Sequence, residues 1–475
     1  MKRSKRIFVL LGVLVVACIV TFGVSQYETK KEEIKNSDEV VLQIDTDSVD
    51  SLSWENESGS LSFHKDETWV YDEDSAFPVD EEKINELLEQ FQEFGASFVI
   101  ENAEDLSQYG LTDPVCTIQI GTADQDYTIT LGDYSTMDSE RYVSIGDENV
   151  YLVQNDPLDY FDAQLSDVIK NDEVPSFDEV SEIHVSGDTD YQINYEEESA
   201  DTYREEDVYF TQINDANTPL DTSAIDGYLQ TLEGLDLSEY MTYNATQEDL
   251  ETYGLADPEM TVQIDYTTVD EEEKEVSGTF VLSVSRDPDE QTTAQTEEEP
   301  AEEETDETDA EEEEITAYAR VGESPIIYKI TTDDYKALMA SSQDDFRHKE
   351  VVPADFADIS QLDIVLEGET YTITTKGDAD DRTYFYGEEE LEITDLQSAF
   401  DALQADSFVS EEPGDKEEID LTITLDLEGN PTVHVELYRY DGQNCLAVVD
   451  GESVSLVPRD SVVNVIEAVN AIVLN

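Results

Sequence analysis

Two tyrosine–aspartate pairs recur at one spacing in near-identical surroundings. A phenol four residues from a carboxylate is a candidate acid–base couple. The first pair, Tyr109 and Asp113, lies in EDLSQYGLTDPVCTIQI from Glu104 to Ile120; the second, Tyr253 and Asp257, lies in EDLETYGLADPEMTVQI from Glu248 to Ile264. Such a couple needs a nucleophile, a metal or a pocket partner, and the neighbouring sequence offers none. The four histidines, His64, His184, His348 and His434, form no HExxH and no i, i+4 pair, so each reads as a buried or surface-polar residue. No GxSxG, SxxK, Walker loop or GxGxxG is present. The three cysteines, Cys18, Cys116 and Cys445, have no CxxC or CxxH spacing, which excludes a disulfide framework and a zinc site. Cys116 and Cys445 read as small buried hydrophobes. Two acidic runs, DTDSVD from Asp45 and GDADDRTYFYGEE from Gly377, resemble calcium loops, but neither has glycine at the sixth place, and Arg382 stands where a ligand belongs. No catalytic, cofactor-binding or metal residue is assigned, no cofactor is expected, and the chain does not read as an enzyme.

The repeated stretch reads instead as a structural joint. Asn102 and Thr246 are placed to cap a single turn, with Asp105 and Asp249 completing a capping box three residues later. The turn runs to Tyr109 and Tyr253. Gly110 and Gly254 follow, where a left-handed backbone suits glycine. Leu111 and Leu255 fold back onto the turn. Pro114 and Pro258 push Asp113 and Asp257 into extended backbone and launch the next strand.

Around each joint the elements repeat. A first unit spans residues 39–172. Its strands precede an amphipathic helix with Ile84, Leu87, Leu88, Phe91 and Phe94 as its stripe and Asp80 as its cap. The joint, three strand runs and a closing helix in DPLDYFDAQLSDVI complete it. A second unit, residues 176–348, has the same order, with Ile225, Tyr228, Leu229 and Leu232 as its helix stripe. The segment Arg286–Glu314 holds almost no apolar residue, so it reads as a disordered insertion at a hairpin tip, which a sheet tolerates because closure costs rise slowly with length. A divergent third unit, 354–475, keeps the order but has EEPGDKEE in place of YGL-x-DP. Its SFV repeats the SFV at Ser97–Val99. The predicted fold is α+β: three tandem related units of antiparallel strands with two helices each, plus one N-terminal transmembrane helix. Alternating tyrosines in the strands read as half-buried sheet packing rather than as ligand-binding platforms.

The helix at the N-terminus rests on composition. MKRSKR, residues 1–6, carries four positive charges and reads as a cytoplasmic tail. Ile7 to Val24 then run without a charge for eighteen residues, about 27 Å of helix, enough for one crossing by an anchor over residues 7–25. The basic cluster should stay inside, so a stalk (26–38) and the bulk of the chain lie on the extracellular side. Lipidation at Cys18 after Val15-Val16-Ala17, or ordinary cleavage, are the competing readings. The formal charge is −94, with 118 acidic residues against 24 lysines and arginines. That charge repels nucleic acid, keeps the chain soluble and attracts cations weakly and non-specifically.

Trp69 and Tyr71, the FPVD run from Phe77 to Asp80, YGL-x-DP, Leu131-Gly132 and Arg141–Val143 together resemble the bacterial DUF4340 family. The likeness covers most of the first unit and the centre of the second. It implies a membrane-anchored extracytoplasmic protein; association of some relatives with ABC-type export or gliding-type components implies a partner role. It offers no catalytic residues. The expected function is a non-enzymatic scaffold or accessory protein of an ABC-type export system, with a transporter or cell-envelope protein as partner. The alternative is a surface binding module for cell-wall glycan or another extracellular ligand.

Overall fold

Period-two alternation becomes strands with one face buried. Ile419, Leu421, Ile423 and Leu425 are fully buried along a single strand, and the residues between them are half-buried. The computed structural model describes residues 39–214, 216–269, 274–290, 314–377 and 382–473. The basic tail, the anchor, the stalk and Cys18 lie outside them, as do residues 291–313 of the acidic insertion. No helix among the described residues is long and apolar enough to cross a membrane.

Three large antiparallel sheets carry the fold. The first runs, in spatial order, Trp69–Tyr71 (β4), Gly59–Lys65 (β3), Val49–Asn56 (β2), Cys116–Thr122 (β7), Asp126–Ser135 (β8), Glu140–Ser144 (β9), Val150–Val153 (β10) and Phe98–Ile100 (β6). Beside it Glu39–Leu42 (β1) pairs with Phe94–Ala96 (β5). The second contains, in order, Ala216–Pro219 (β14), Tyr209–Ile213 (β13), Tyr191–Tyr195 (β12), Glu179–Gly187 (β11), Met260–Val269 (β16), Glu275–Arg286 (β17), Ala317–Val321 (β18) and Ile327–Ile330 (β19). The third runs Glu389–Glu390 (β23), Thr383–Tyr386 (β22), Glu369–Lys376 (β21), Ile359–Leu366 (β20), Glu417–Leu425 (β25), Thr432–Arg439 (β26), Asn444–Val449 (β27), Glu452–Pro458 (β28) and Ser407–Phe408 (β24). In each, the chain lays its first strands outward, passes through a helix, and returns to the free edge of the strand it began with.

By contact, the chain divides into two compact units. One runs to Asp172 and takes in Leu237–Ala245, which includes Tyr240–Thr242 (β15), and Pro325–Ile327. The other holds the remainder, with the third sheet in it.

The opening strand of each sheet carries a register shift at one place: between Val49 and Ser51, between Val180 and Glu182, and between Ile359 and Gln361. An extra residue there breaks strict alternation, and the buried side chains resume after it at Leu52, Ile183 and Leu362.

Helices are few and mostly short. Asp80 caps Glu81–Glu89 (α1) by accepting from the Glu82 and Lys83 amides, and Ile84, Leu87 and Leu88 are buried. Phe91 is buried beyond the helix end, and Phe94 is buried as part of β5, so the predicted stripe outlasts the helix. The closing helix expected in DPLDYFDAQLSDVI is only Leu158–Phe161 (α2) followed by a 3-10 turn, Leu165–Asp167. Gln164 and Asp167 box a fresh start there, and Trp54 Nε1 donates to the Ala163 carbonyl, so the chain turns where a longer helix would continue. The second helix, Thr222–Glu233 (α3), buries Ile225, Tyr228, Leu229 and Leu232 as predicted. In the third sheet's layer, Thr394–Asp401 (α6) and Arg459–Val473 (α7) bury Leu396, Phe400, Val462, Val465 and Val469 against β20, β25 and β26. Between these come Gln247–Thr252 (α4) and Thr332–Met339 (α5).

The acidic segment joins β17 to β18, which are neighbours in register from Leu282↔Val321 to Arg286↔Ala317. The Asp287 amide still donates to Thr316 at 2.9 Å. The ends of the insertion are therefore held together without it. Replacing residues 291–313 by a short glycine–serine link should leave the unfolding free energy in urea within about 1 kcal/mol of the parent, because loop closure scales only with the logarithm of length. A larger loss would mean that the segment packs on the fold.

Candidate functional site

Each predicted tyrosine–aspartate couple lies on its own sheet. In the first copy the turn is a 3-10 helix, Leu106–Tyr109, and Gly110 follows at φ +70°. Its cap is not Asn102. Asn102 has φ +49°, whereas an N-cap needs extended backbone, which Asp105 supplies while accepting from the Ser107 amide. In the second copy Thr246 and Asp249 do form the capping box around α4, and Gly254 has φ +74°. Leu111 and Leu255 are buried in both. The Tyr109 ring meets Tyr142 on β9 at 5.0 Å between centroids; Tyr253 meets Tyr318 on β18 at 4.7 Å. Strands β7 and β16 begin two residues after Pro114 and Pro258. Asp113 and Asp257 sit at these strand entries, and no contact brings either to its tyrosine.

The approach of turn to sheet is tight. A Cβ on Gly110 would lie 2.6 Å from Asp133 Oδ1 and 2.7 Å from the Asp133 amide nitrogen. A Cβ on Gly132 would run into the Tyr109 carbonyl oxygen. In the second copy Ser285 and Arg286 face Gly254 in the same way.

Ionic groups gather where a strand end must be pinned. Arg141 Nε donates to Asp156 at 2.6 Å, and its Nη1 to the Gly132 carbonyl at 2.6 Å, with both side chains about nine-tenths buried. On the second sheet Glu259 accepts from Arg286 Nε at 2.9 Å and from the Tyr335 hydroxyl at 2.8 Å. His64, His184 and His434 are half-exposed on strands and face Asp72, Asp190 and Asp420 at 2.5, 3.5 and 2.9 Å. Cys116 and Cys445 are buried and unbridged, and burial pushes both thiols up, that of Cys116 to about 12, away from thiolate character. Asp45 spends its carboxylate capping the Thr46–Ser48 turn, and Arg382 bonds the Ile359 carbonyl and Asp426. Among the described residues no group of side chains is arranged to hold a metal.

A cluster of polar side chains distant in sequence lies in the second compact unit. His348 Nε2 lies 2.9 Å from Asp207 Oδ1, and Asp207 Oδ2 accepts from Thr202 at 2.7 Å. His348 Nδ1 lies 2.8 Å from Arg204 Nη1, with Glu350 at 3.8 Å from that nitrogen. Guanidinium has only donors, so beside Arg204 the Nδ1 accepts and Nε2–H donates to Asp207, and both ring nitrogens are engaged. Arg204 lines a cavity of about 600 Å³ with Tyr195, Tyr203 and Glu205, and a second of about 210 Å³ with Phe356 and Phe400. The separation of 141 positions between Asp207 and His348 hid this pairing from sequence reading. The available signal was the basic run Arg347-His348-Lys349, rare in so acidic a chain.

Substitutions separate joint from site. Gly110→Ala should cost about 2 kcal/mol or more in chemical unfolding, from the left-handed φ and the clash at Asp133. Tyr109→Phe keeps the ring contact and should shift stability by under about 0.5 kcal/mol. Asp207→Ala strips a buried partner from His348 and should cost about 3 kcal/mol. Equal sensitivity at Tyr109→Phe and Gly110→Ala would contradict the structural reading of the joint.

A family model described as "Domain of unknown function (DUF4340)" matches residues 69–212 and again 211–422. The first match opens on β4 and ends in β13 of the second sheet; the second opens in β13 and ends in β25 of the third. No curated protein and no solved structure matches the chain. The two matches together span most of the sequence, and the chain therefore belongs to the DUF4340 family.

Proposed function

We propose that the chain is three tandem copies of one α+β unit on an N-terminal membrane anchor. It works outside the cytoplasmic membrane as a non-enzymatic scaffold or accessory protein of an ABC-type export system. The observation that carries the reading is the reuse of one design: a common strand order, and a register shift at one place in each opening strand. Residues that could have formed a site are consumed in it. Gly110 and Gly254 turn the chain, and Tyr109 and Tyr253 pack on Tyr142 and Tyr318. The anchor rests on the charge-free run after MKRSKR. The export system rests on family likeness. The cavity beside Arg204, with tyrosines and carboxylates in its wall, favours a second reading as a binding module for wall glycan or another extracellular ligand.

The test uses the full-length, tagged protein purified from its own membranes in mild detergent. A permease and ATPase pair should copurify, and the body should be open to protease added outside intact cells. Retention of the same protein on purified cell wall, with no transporter subunit, would replace the first reading by the second.

A further inference from the structure

The cavity of about 600 Å³ beside Arg204 lies within the second compact unit, and the loop between β12 and β13, residues 196–208, makes most of its wall. Its charges fall into two groups. Glu197, Glu198 and Glu205 line it and are exposed. Arg204 lines it from within, with a side chain only 11% exposed. The loop fixes that position: the Arg204 amide donates to Thr202 Oγ1 at 3.0 Å, and Asp207 accepts from the same hydroxyl. The guanidinium is left mostly unused. Nη1 meets His348 Nδ1 at 2.8 Å and Glu350 at 3.8 Å, Nε is buried with no partner, and no described residue accepts from Nη2. Other enclosed arginines are better served: Arg141 bonds Asp156 and the Gly132 carbonyl, and Arg382 bonds Asp426 and the Ile359 carbonyl. A guanidinium short of acceptors is costly away from water, and this chain has 118 acidic residues to offer. Glu205 is adjacent in sequence and Glu197 and Glu198 share the cavity, yet none of the three pairs with it. Tyr195 stands at the same wall, half-exposed, its ring braced edge-on against Tyr209 at 5.7 Å.

We propose that this cavity binds a small zwitterion, a peptide of two or three residues with both ends free. Its terminal carboxylate accepts from Arg204 Nη2, and its ammonium sits among Glu197, Glu198 and Glu205 beside the Tyr195 ring. This rests on the binding-module reading and narrows its ligand. Charge decides the class. The field of the whole chain, at −94, repels a simple anion before it reaches Arg204. A simple cation is drawn to any part of the surface and leaves the guanidinium without an acceptor. A neutral sugar answers neither group of charges. A ligand with one charge of each sign, a few ångströms apart, crosses the field with no net penalty and satisfies both groups at once. The volume lies in the range that holds a small molecule.

The probes are alanyl-alanine and trialanine, each also with its amine acetylated or its carboxylate amidated, and chitobiose as a neutral sugar. Binding to the full-length protein in detergent is read by titration calorimetry at physiological salt. The free peptides should bind, and either blocking group should weaken them about tenfold or more, the loss of one charge-assisted hydrogen bond. Arg204→Gln should erase the difference between free acid and amide while leaving the effect of acetylation. Because Arg204 also touches His348 and its loss can loosen the loop, Glu197→Gln with Glu198→Gln is the second variant. Both residues are exposed, so the melting temperature should hold while the preference for a free amine falls several-fold. No binding of either free peptide, equal binding of acid and amide, or a preference for the free acid that survives Arg204→Gln would overturn the proposal. Binding of chitobiose alone would overturn it in favour of a neutral glycan. Retention on purified cell wall that the free peptides do not displace would sink the zwitterion and leave the binding-module reading standing. Failure of both wall retention and peptide binding would sink the two together.

Discussion

At Gly132 the neighbouring turn comes so close that there is no room for a Cβ, and most of the first sheet is arranged around that approach. The Tyr109 carbonyl occupies the space a side chain on Gly132 would need, while Gly110 reverses the chain against the Asp133 backbone. The Val115 amide then reaches the Leu131 carbonyl, which sets the register of β7 on β8. Arg141 seals the junction from the far side by bonding the Gly132 carbonyl that the approach leaves exposed to a dry environment. A displaced turn would move Leu111 from the core and uncouple the ring of Tyr109 from Tyr142. The joint is thus a single packed object, and its glycines are required by space as much as by φ.

Scarce cations are placed with similar economy. With 118 acidic residues to serve, the 24 lysines and arginines cannot neutralise the surface. Several arginines instead lie inside. Arg141 meets Asp156, Arg286 meets Glu259, Arg382 meets Asp426, and Arg204 meets His348. Asp156 and Glu259 are about nine-tenths buried, where an unpaired carboxylate costs far more than one in water, so the guanidinium beside each offsets more than one outside would; Asp426 is half-exposed. The exposed carboxylates are left to the solvent and its ions, which screen them at modest cost. Salt should therefore matter more to this fold than to one of balanced charge.

Much of this was legible in the sequence, and the omissions have physical causes. The helix stripes at Ile84 and Ile225, the left-handed glycines and the Asp80 cap are local, and locality is what a linear pattern records. Asn102 misled because capping depends on backbone φ, which sequence does not show, and Asp105 was three residues away with the right geometry. The closing helix of the first sheet failed because a run of helix formers gives no warning of a carbonyl recruited by Trp54. The register shift after Val49, Val180 and Ile359 did leave a trace, two polar residues in succession where alternation calls for one, and it went unread. The Asp207–His348–Arg204 cluster left none beyond an unusual basic run, since its members meet only through the tertiary fold.

An exposed strand edge is ordinarily a hazard, because any chain can pair with it. In the third sheet the guanidinium of Arg347 lies over the Phe408 ring on the last strand, and the Lys349 carbonyl accepts from the Ala405 amide just before that strand. In the first sheet the edge is left open and ringed with glutamates. Those charges repel every other copy of this protein, each of which carries the same large negative charge.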